Sequence, residues 1–218
     1  MFKEVFENVF LVNSELATKN LSPGFRVYGE KLIKDEKGVE YRIWDPYRSK
    51  LAAAIKLGLK ILPIKKESKV LYLGAATGTT SSHVSDIAEK GVVYCVEISA
   101  VSMKHLLKVA EKRENMIPLL NDARKPEEYA QYIKEVDVIY EDVSCKEQAE
   151  ILLANSSLLK PKGFALFAIK SQSIDVSKNP KQVFKEVEQK ISNTFEILQE
   201  VNIEKYHKHH LFLLLRKK

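Results

Sequence analysis

Five places along the chain carry residues whose types could do chemistry together: the GAATGTT stretch at residues 74–80, Glu97, Asp122, Asp142 and Lys170. Each stands just beyond a short apolar run. In the first, Gly74 and Gly78 let a backbone pass close to a ligand, and a helix opening at Thr79 and Thr80 would aim free N–H groups back at it. This is not the GxGxxG turn of a dehydrogenase, because Ala75 and Ala76 fill the places where that motif needs its second glycine. Glu97 follows about 20 residues on, the spacing at which a carboxylate accepts hydrogen bonds from ribose hydroxyls. Asp122 is placed to meet an adenine amino group. Asp142 and Lys170 add a carboxylate and an amine at the next two positions of the same kind.

These residues converge only if the apolar runs are neighbouring strands. From residue 69 the pattern alternates strand and helix. Strands are predicted at 70–73, 92–96, 116–120, 136–140 and 164–169, the last following a Pro-Lys-Gly turn. Helices are predicted at 79–91, 100–112, 146–159 and 179–191. Two further strands, 195–203 and 211–215, follow in direct succession. Short apolar strands alternating with helices imply a parallel sheet covered on both faces. The closing pair implies an antiparallel addition at one edge. The expected fold is therefore α/β: a Rossmann-like class I methyltransferase with a seven-stranded, mostly parallel sheet. Ligands bind such sheets beyond the carboxyl ends of the strands, where the five places lie. A turn looser than GxGxxG suits the methionine end of S-adenosylmethionine, which has no pyrophosphate to cradle.

Residues 1–48 read differently, as a small N-terminal antiparallel β region with strands at 5–11, 24–34 and 39–44 around an Asp-Glu-Lys-Gly turn. A helix over 48–59 leads into the main domain, 49–218. The formal charge of +6 permits an anionic partner such as RNA without establishing one. No run approaches the ~20 apolar residues of a membrane helix. Lys3, Glu4 and Glu7 break up what would be a secretory signal. Cys95 and Cys145 form no CxxC pair, which suits a reducing compartment and no metal site.

The chain resembles the fibrillarin family, the methyltransferase subunits of box C/D ribonucleoproteins, in its archaeal form. The matching segments are YLGAATGTT (72–80), NDARKP (121–126), VDVIYED (136–142) and AIKSQSID (168–175), with VYGE (27–30) and YRIWDPYRSKLA (41–52) upstream. The resemblance implies S-adenosylmethionine contacts at Thr79, Thr80, Glu97, Ile98, Asp122, Ala123, Asp142, Val143, Ser144 and Cys145. Two positions depart from the family pattern: Ile98, where an aromatic residue is usual, and Ser144-Cys145, where Ala-Gln is usual. The implied catalytic set is Lys50, Asp142, Lys170 and a histidine, placed at His210 within YHKHHL (206–211). His207 and His209 blur that assignment.

The implied activity is guide-directed 2′-O-methylation of ribose in rRNA or tRNA. The implied partners are a box C/D guide RNA, a Nop-domain scaffold protein and a kink-turn-binding protein of the ribosomal L7 type, in an archaeal cytoplasm. No RNA-recognition motif of the chain's own is visible. Phe2, Phe6, Phe10 and Phe25 serve either partner docking or a private core. Lys170 is the candidate base, since burial and Lys50 would push its pKa down while Asp142 opposes them. The alternatives are a methyltransferase with another substrate and a non-catalytic RNA-assembly subunit.

Overall fold

The N-terminal residues alternate apolar and polar side chains in short runs, and the computed structural model, which describes residues 2–218, pairs these runs into an antiparallel sheet. Its strands are β1 (Phe2–Phe6), β2 (Val9–Val12), β3 (Glu15–Lys19), β4 (Leu32–Lys34) and β5 (Glu40–Ile43), in the order β1-β2-β3-β5-β4. Helix α1 (Lys50–Lys56) follows. Ser49 caps it by accepting from the Ala52 amide, and Gly58, at φ 101°, ends it.

The second sheet holds β6 (Lys69–Leu73), β7 (Val92–Glu97), β8 (Met116–Leu120), β9 (Val136–Glu141), β10 (Leu159–Lys170), β11 (Phe195–Asn202) and β12 (His210–Lys217), ordered β11-β12-β10-β9-β6-β7-β8. Among the described strands of this sheet, β12 runs antiparallel to both its neighbours, β10 and β11, and the other pairs are parallel. The intervening helices are α2 (Thr79–Ile87), α3 (Ala100–Ala110), α4 (Gln148–Asn155), α5 (Ser171–Ile174) and α6 (Pro180–Ile191). Alternation along each strand divides the core in two. Val70 and Tyr72 join α1, α2 and α3 on one face, while Leu71 and Leu73 join α4 and α6 on the other. The chain steps outward from β6 through β7 to β8, then returns to place β9 on the other side of β6. Strand order therefore reverses between β6 and β9, and a crevice opens above their carboxyl ends.

The seven-stranded, mostly parallel sheet and the N-terminal antiparallel region are as the sequence implies, but several boundaries differ. The run at 5–11 is split by a tight turn at Asn8 (φ 58°), giving two strands. Strand β3 was not visible in the sequence. Most of 24–34 is loop: the Glu30 carboxylate accepts from the Val27 and Tyr28 amides, so a side chain takes the place of a partner strand. The helix expected over 48–59 keeps only its middle. The Pro-Lys-Gly turn at 161–163 lies within β10 as an irregularity in its pairing with β9, with Lys162 at φ 59°.

The two sheets are joined by a buried cluster of charges. Asp86 on α2 binds Arg42 (2.9 Å) and Arg113 (2.6 Å), and accepts from the Thr18 hydroxyl (2.7 Å) and the Leu21 amide (3.1 Å). Arg42 also reaches Glu30 at 2.5 Å. All of these side chains are nearly inaccessible to water, and the two guanidiniums face two carboxylates. His83 sits among them. Its Nδ1–H donates to Thr18, which has already given its own proton to Asp86, and its Nε2 lies 2.8 Å from the Tyr28 hydroxyl, whose other contact is the Ile43 carbonyl at 3.1 Å. Burial, with Arg42 and Arg113 nearby, lowers its pKa well below the usual histidine range, so the ring is neutral. Replacing Asp86 by Ala would strand the buried Arg113 guanidinium and leave Arg42 with Glu30 alone, at a cost of about 3–5 kcal/mol. The midpoint of urea unfolding should fall accordingly; an unchanged midpoint would mean that the cluster does not hold the sheets together.

Candidate active site

Gly74 ends β6 at φ 80°, and a Cβ there would come within 3.0 Å of the Asp142 carbonyl oxygen, so the two strand ends meet only because residue 74 is glycine. The Asp142 amide donates to the Leu73 carbonyl at 3.0 Å, closing the contact. The loop then turns through Ala76 in the left-handed region (φ 48°), which a residue with a Cβ adopts only when held there. Glu97 holds it: Oε2 accepts from the Ala76 amide at 2.7 Å while Oε1 accepts from the Ser99 amide at 2.8 Å. Gly78, at φ 95°, is the N-cap of α2 and supplies no side-chain cap, which leaves the first-turn N–H groups facing the crevice. A Cβ on Gly78 would lie 3.2 Å from Leu106 and Val109 of α3.

The crevice is a cavity of about 530 Å³. Of the residues singled out from sequence, Lys50, Gly74, Ala76, Thr79, Thr80, Glu97, Ile98, Asp122, Ala123, Asp142, Val143, Ser144, Cys145 and Lys170 line it; Gly78 and His210 do not. The donor set fits S-adenosylmethionine. An uncapped helix N-terminus suits its carboxylate. Each Glu97 oxygen keeps a lone pair for a ribose hydroxyl. Ile98, 62% exposed, offers an apolar face beside it. The Asp122 carboxylate is gripped by the Arg124 guanidinium at 2.7–3.0 Å, which holds its pKa below the usual range.

At the opposite end of the cavity Asp142 lies between two lysines. Lys50 Nζ is 3.0 Å from Oδ1, and Lys170 Nζ is 2.7 Å from the same oxygen. Burial alone would raise the Asp142 pKa, but the two ammonium groups overcome it and hold the carboxyl ionised. Lys170 also donates to the Asp142 carbonyl and to Ser144 Oγ, each at 2.7 Å. Two hydrogen bonds and the adjacent Asp142 charge form the surroundings of an ammonium. Burial lowers the Lys170 pKa; Asp142 opposes that and Lys50 adds to it.

Several residues that position this site carried no signal in the sequence. Gln148 accepts from the Lys170 amide at 2.9 Å and donates to the Lys170 and Cys145 carbonyls, pinning both backbones. The Thr80 hydroxyl donates to Ser49 Oγ at 3.1 Å, tying the start of α2 to the cap of α1, whose first residue is Lys50. Arg48 also lines the cavity. A lone Gln, Ser or Arg has no spacing to betray it. His210 stands opposite Lys170 across the β10–β12 pair, but its Nδ1 hydrogen-bonds the Lys208 carbonyl at 2.6 Å and not Asp142. Burial lowers its pKa to about 4. His207 bonds the Pro46 carbonyl at 2.9 Å.

A sequence model of fibrillarin matches residues 1–218. The chain belongs to the fibrillarin family. The fibrillarin-like rRNA/tRNA 2′-O-methyltransferase of Methanocaldococcus jannaschii is 51% identical over 221 residues, covering 97% of this chain and 95% of that protein. A fibrillarin solved in complex with Nop5p superposes with a TM-score of 0.91 at 42% identity, covering 99% of this chain and 100% of that one. The fibrillarin of Aeropyrum pernix, solved with natively bound S-adenosyl-L-methionine, superposes with a TM-score of 0.87 at 42% identity, covering 95% and 92%.

In this fibrillarin-family chain the cofactor loop depends on Glu97. Glu97→Ala removes both amide acceptors and the lone pairs turned to the cavity, and should weaken S-adenosylmethionine binding by roughly 10- to 100-fold. Calorimetric titration checks this; unchanged affinity would mean that the carboxylate is only a structural brace.

Proposed function

We propose that this chain transfers a methyl group from S-adenosylmethionine to a ribose 2′-oxygen of rRNA or tRNA, with the target nucleotide chosen by a box C/D guide RNA. The observation that carries this reading is the Lys50–Asp142–Lys170 cluster at the far end of a cavity built for that cofactor. A Nop-domain scaffold would hold the enzyme, and a kink-turn-binding protein of the ribosomal L7 type would anchor the guide. The relatives' names and the Nop5p complex support the substrate and the scaffold. The guide and the L7-type protein follow from the family resemblance alone.

The cofactor supplies an activated sulfonium methyl. The remaining difficulty is that a ribose hydroxyl is a weak nucleophile. Positioning it in line with the methyl and removing its proton are the tasks left to the protein. Lys170 is fit for both. Ser144 Oγ already accepts from its Nζ at 2.7 Å, which shows that a hydroxyl can stand there. When a substrate hydroxyl replaces Ser144 and Lys170 has lost a proton to solvent, the amine lone pair can accept the hydroxyl's proton. Asp142 fixes the amine's direction from below, and Lys50 both pins Asp142 and disfavours charge on Lys170. His210 lies outside the cavity lining with its Nδ1 bonded to the Lys208 carbonyl, so Lys170 is the better placed of the two to take the proton.

Lys170→Met should lower kcat by about 10²–10⁴-fold while leaving cofactor affinity near the wild-type value. A variant that keeps full turnover would remove Lys170 from the mechanism. The pH profile gives a second check. A base works only when deprotonated, so kcat/KM, which reports the free enzyme, should rise with pH through the Lys170 pKa, which lies below the ordinary lysine value. Ser144 stabilises the ammonium, so Ser144→Ala should move that rise to lower pH; a shift upward, or none, would place the titration elsewhere.

The decisive experiment measures methyl incorporation into a target RNA, with and without guide, scaffold and kink-turn protein. Incorporation at one guided 2′-oxygen, only in the full mixture, is expected. Transfer that ignores the guide would overturn the assigned substrate, and cofactor binding with no transfer in any mixture would leave an assembly subunit.

A further inference from the structure

A second cavity, of about 660 Å³, lies between the N-terminal sheet and the turn that joins β11 to β12. It shares Arg48 with the cofactor cavity, so the two adjoin at that residue, two positions before Lys50. A strand whose ribose rests against Lys170 could extend past Arg48 into this groove, away from the cofactor end of the first cavity.

The walls suit a nucleotide. Tyr47 is 65% exposed and meets Tyr206 edge-on, with ring centroids 4.9 Å apart, so one face of Tyr47 is open to a flat partner. The Lys205 ammonium lies 5.6 Å from the Tyr206 ring centroid, and the Arg48 guanidinium lies 5.7 Å from that of Tyr28. Each cation thus stands beside an aromatic face, the combination that holds single-stranded nucleic acid.

The groove's carboxylates are already engaged. Glu15 pairs with Lys31 and Glu30 with Arg42, while Asp45 accepts from the Tyr47 amide at 2.8 Å. The platform is also fixed in place, since the bond from His207 to the Pro46 carbonyl ties the 205–210 turn to the 45–48 turn. A protein partner would be expected to cover exposed aliphatic side chains, yet Ile98, Val101, Leu107 and Leu120 all lie outside the groove.

We propose that this groove seats the target-strand nucleotide next to the methylated ribose, its base stacked on Tyr47 and its phosphate met by Arg48 and Lys205. The proposal rests on the reading above that the substrate is RNA, and it adds where that RNA lies and which residues hold it. Among the described residues Tyr47 makes no side-chain hydrogen bond that would give it another task, and its exposure makes Tyr47→Ala compatible with folding.

The test uses the assembled guide complex with a target RNA carrying a photoreactive 5-iodouridine beside the methylated position. Crosslinks should map to Tyr47 or Tyr206. Tyr47→Ala and Lys205→Glu should each raise KM for target RNA roughly three- to tenfold, with kcat and cofactor affinity unchanged, and Tyr47→Phe should behave as wild type. Guided methylation with crosslinks elsewhere and unaltered KM values would overturn the groove while leaving the activity in place. Crosslinking needs no methyl transfer, so a Tyr47 crosslink in a mixture that transfers nothing would keep the groove and sink the activity. Loss of cofactor affinity in Tyr47→Ala would also count against the groove, by making the residue part of the cofactor site.

Discussion

A carboxylate shared by two ammonium groups is the contact on which the rest of this molecule turns. Asp142 follows β9, Lys50 opens α1 and Lys170 closes β10, so three separate parts of the chain must arrive together before any of their charges is balanced. In a partly dry crevice an unpaired charge is costly, and each member makes the others tolerable. That mutual dependence explains the supporting details: glycine at 74 so that β6 and β9 end together, Gln148 fixing the Lys170 backbone, and Thr80 bonded to the cap of the helix that carries Lys50.

The two ends of the cavity solve opposite electrostatic problems. At the cofactor end a left-handed Ala76 is held by Glu97, and backbone N–H groups are left free to receive a ligand. At the reacting end the Lys170 amine already donates to the Asp142 carbonyl and to Ser144 Oγ. The first end is ready for a ligand as it stands. The second must exchange one internal contact for a substrate contact, which favours a hydroxyl of the right reach over water.

Much of this was legible in the sequence because strand ends announce themselves. Glu97, Asp122, Asp142 and Lys170 each follow a short apolar run, and a parallel sheet brings the ends of such runs to one edge; the geometry did the rest. The family resemblance added Lys50, which no periodicity would have selected. The N-terminal region was less legible, since β3 reads as ordinary mixed sequence and the stretch before β4 is bound by the Glu30 side chain, not by a strand. Nor could spacing show that Asp122 is gripped by Arg124, or that His210 turns to the Lys208 carbonyl. Those choices between nearby partners are made only once the backbone is in place.

The buried cluster around Asp86 has a further consequence for how the chain is made. A ribosome releases the N-terminal strands first, and domains commonly begin to fold as they emerge. Here Arg42 appears 44 residues before the aspartate that neutralises it, and Arg113 follows 27 residues after that aspartate. Arg42 can meet Glu30 at once but gains its second carboxylate only when α2 has been synthesised, and the cluster is complete only after the turn beyond α3, so that this junction closes from the middle of the chain outward.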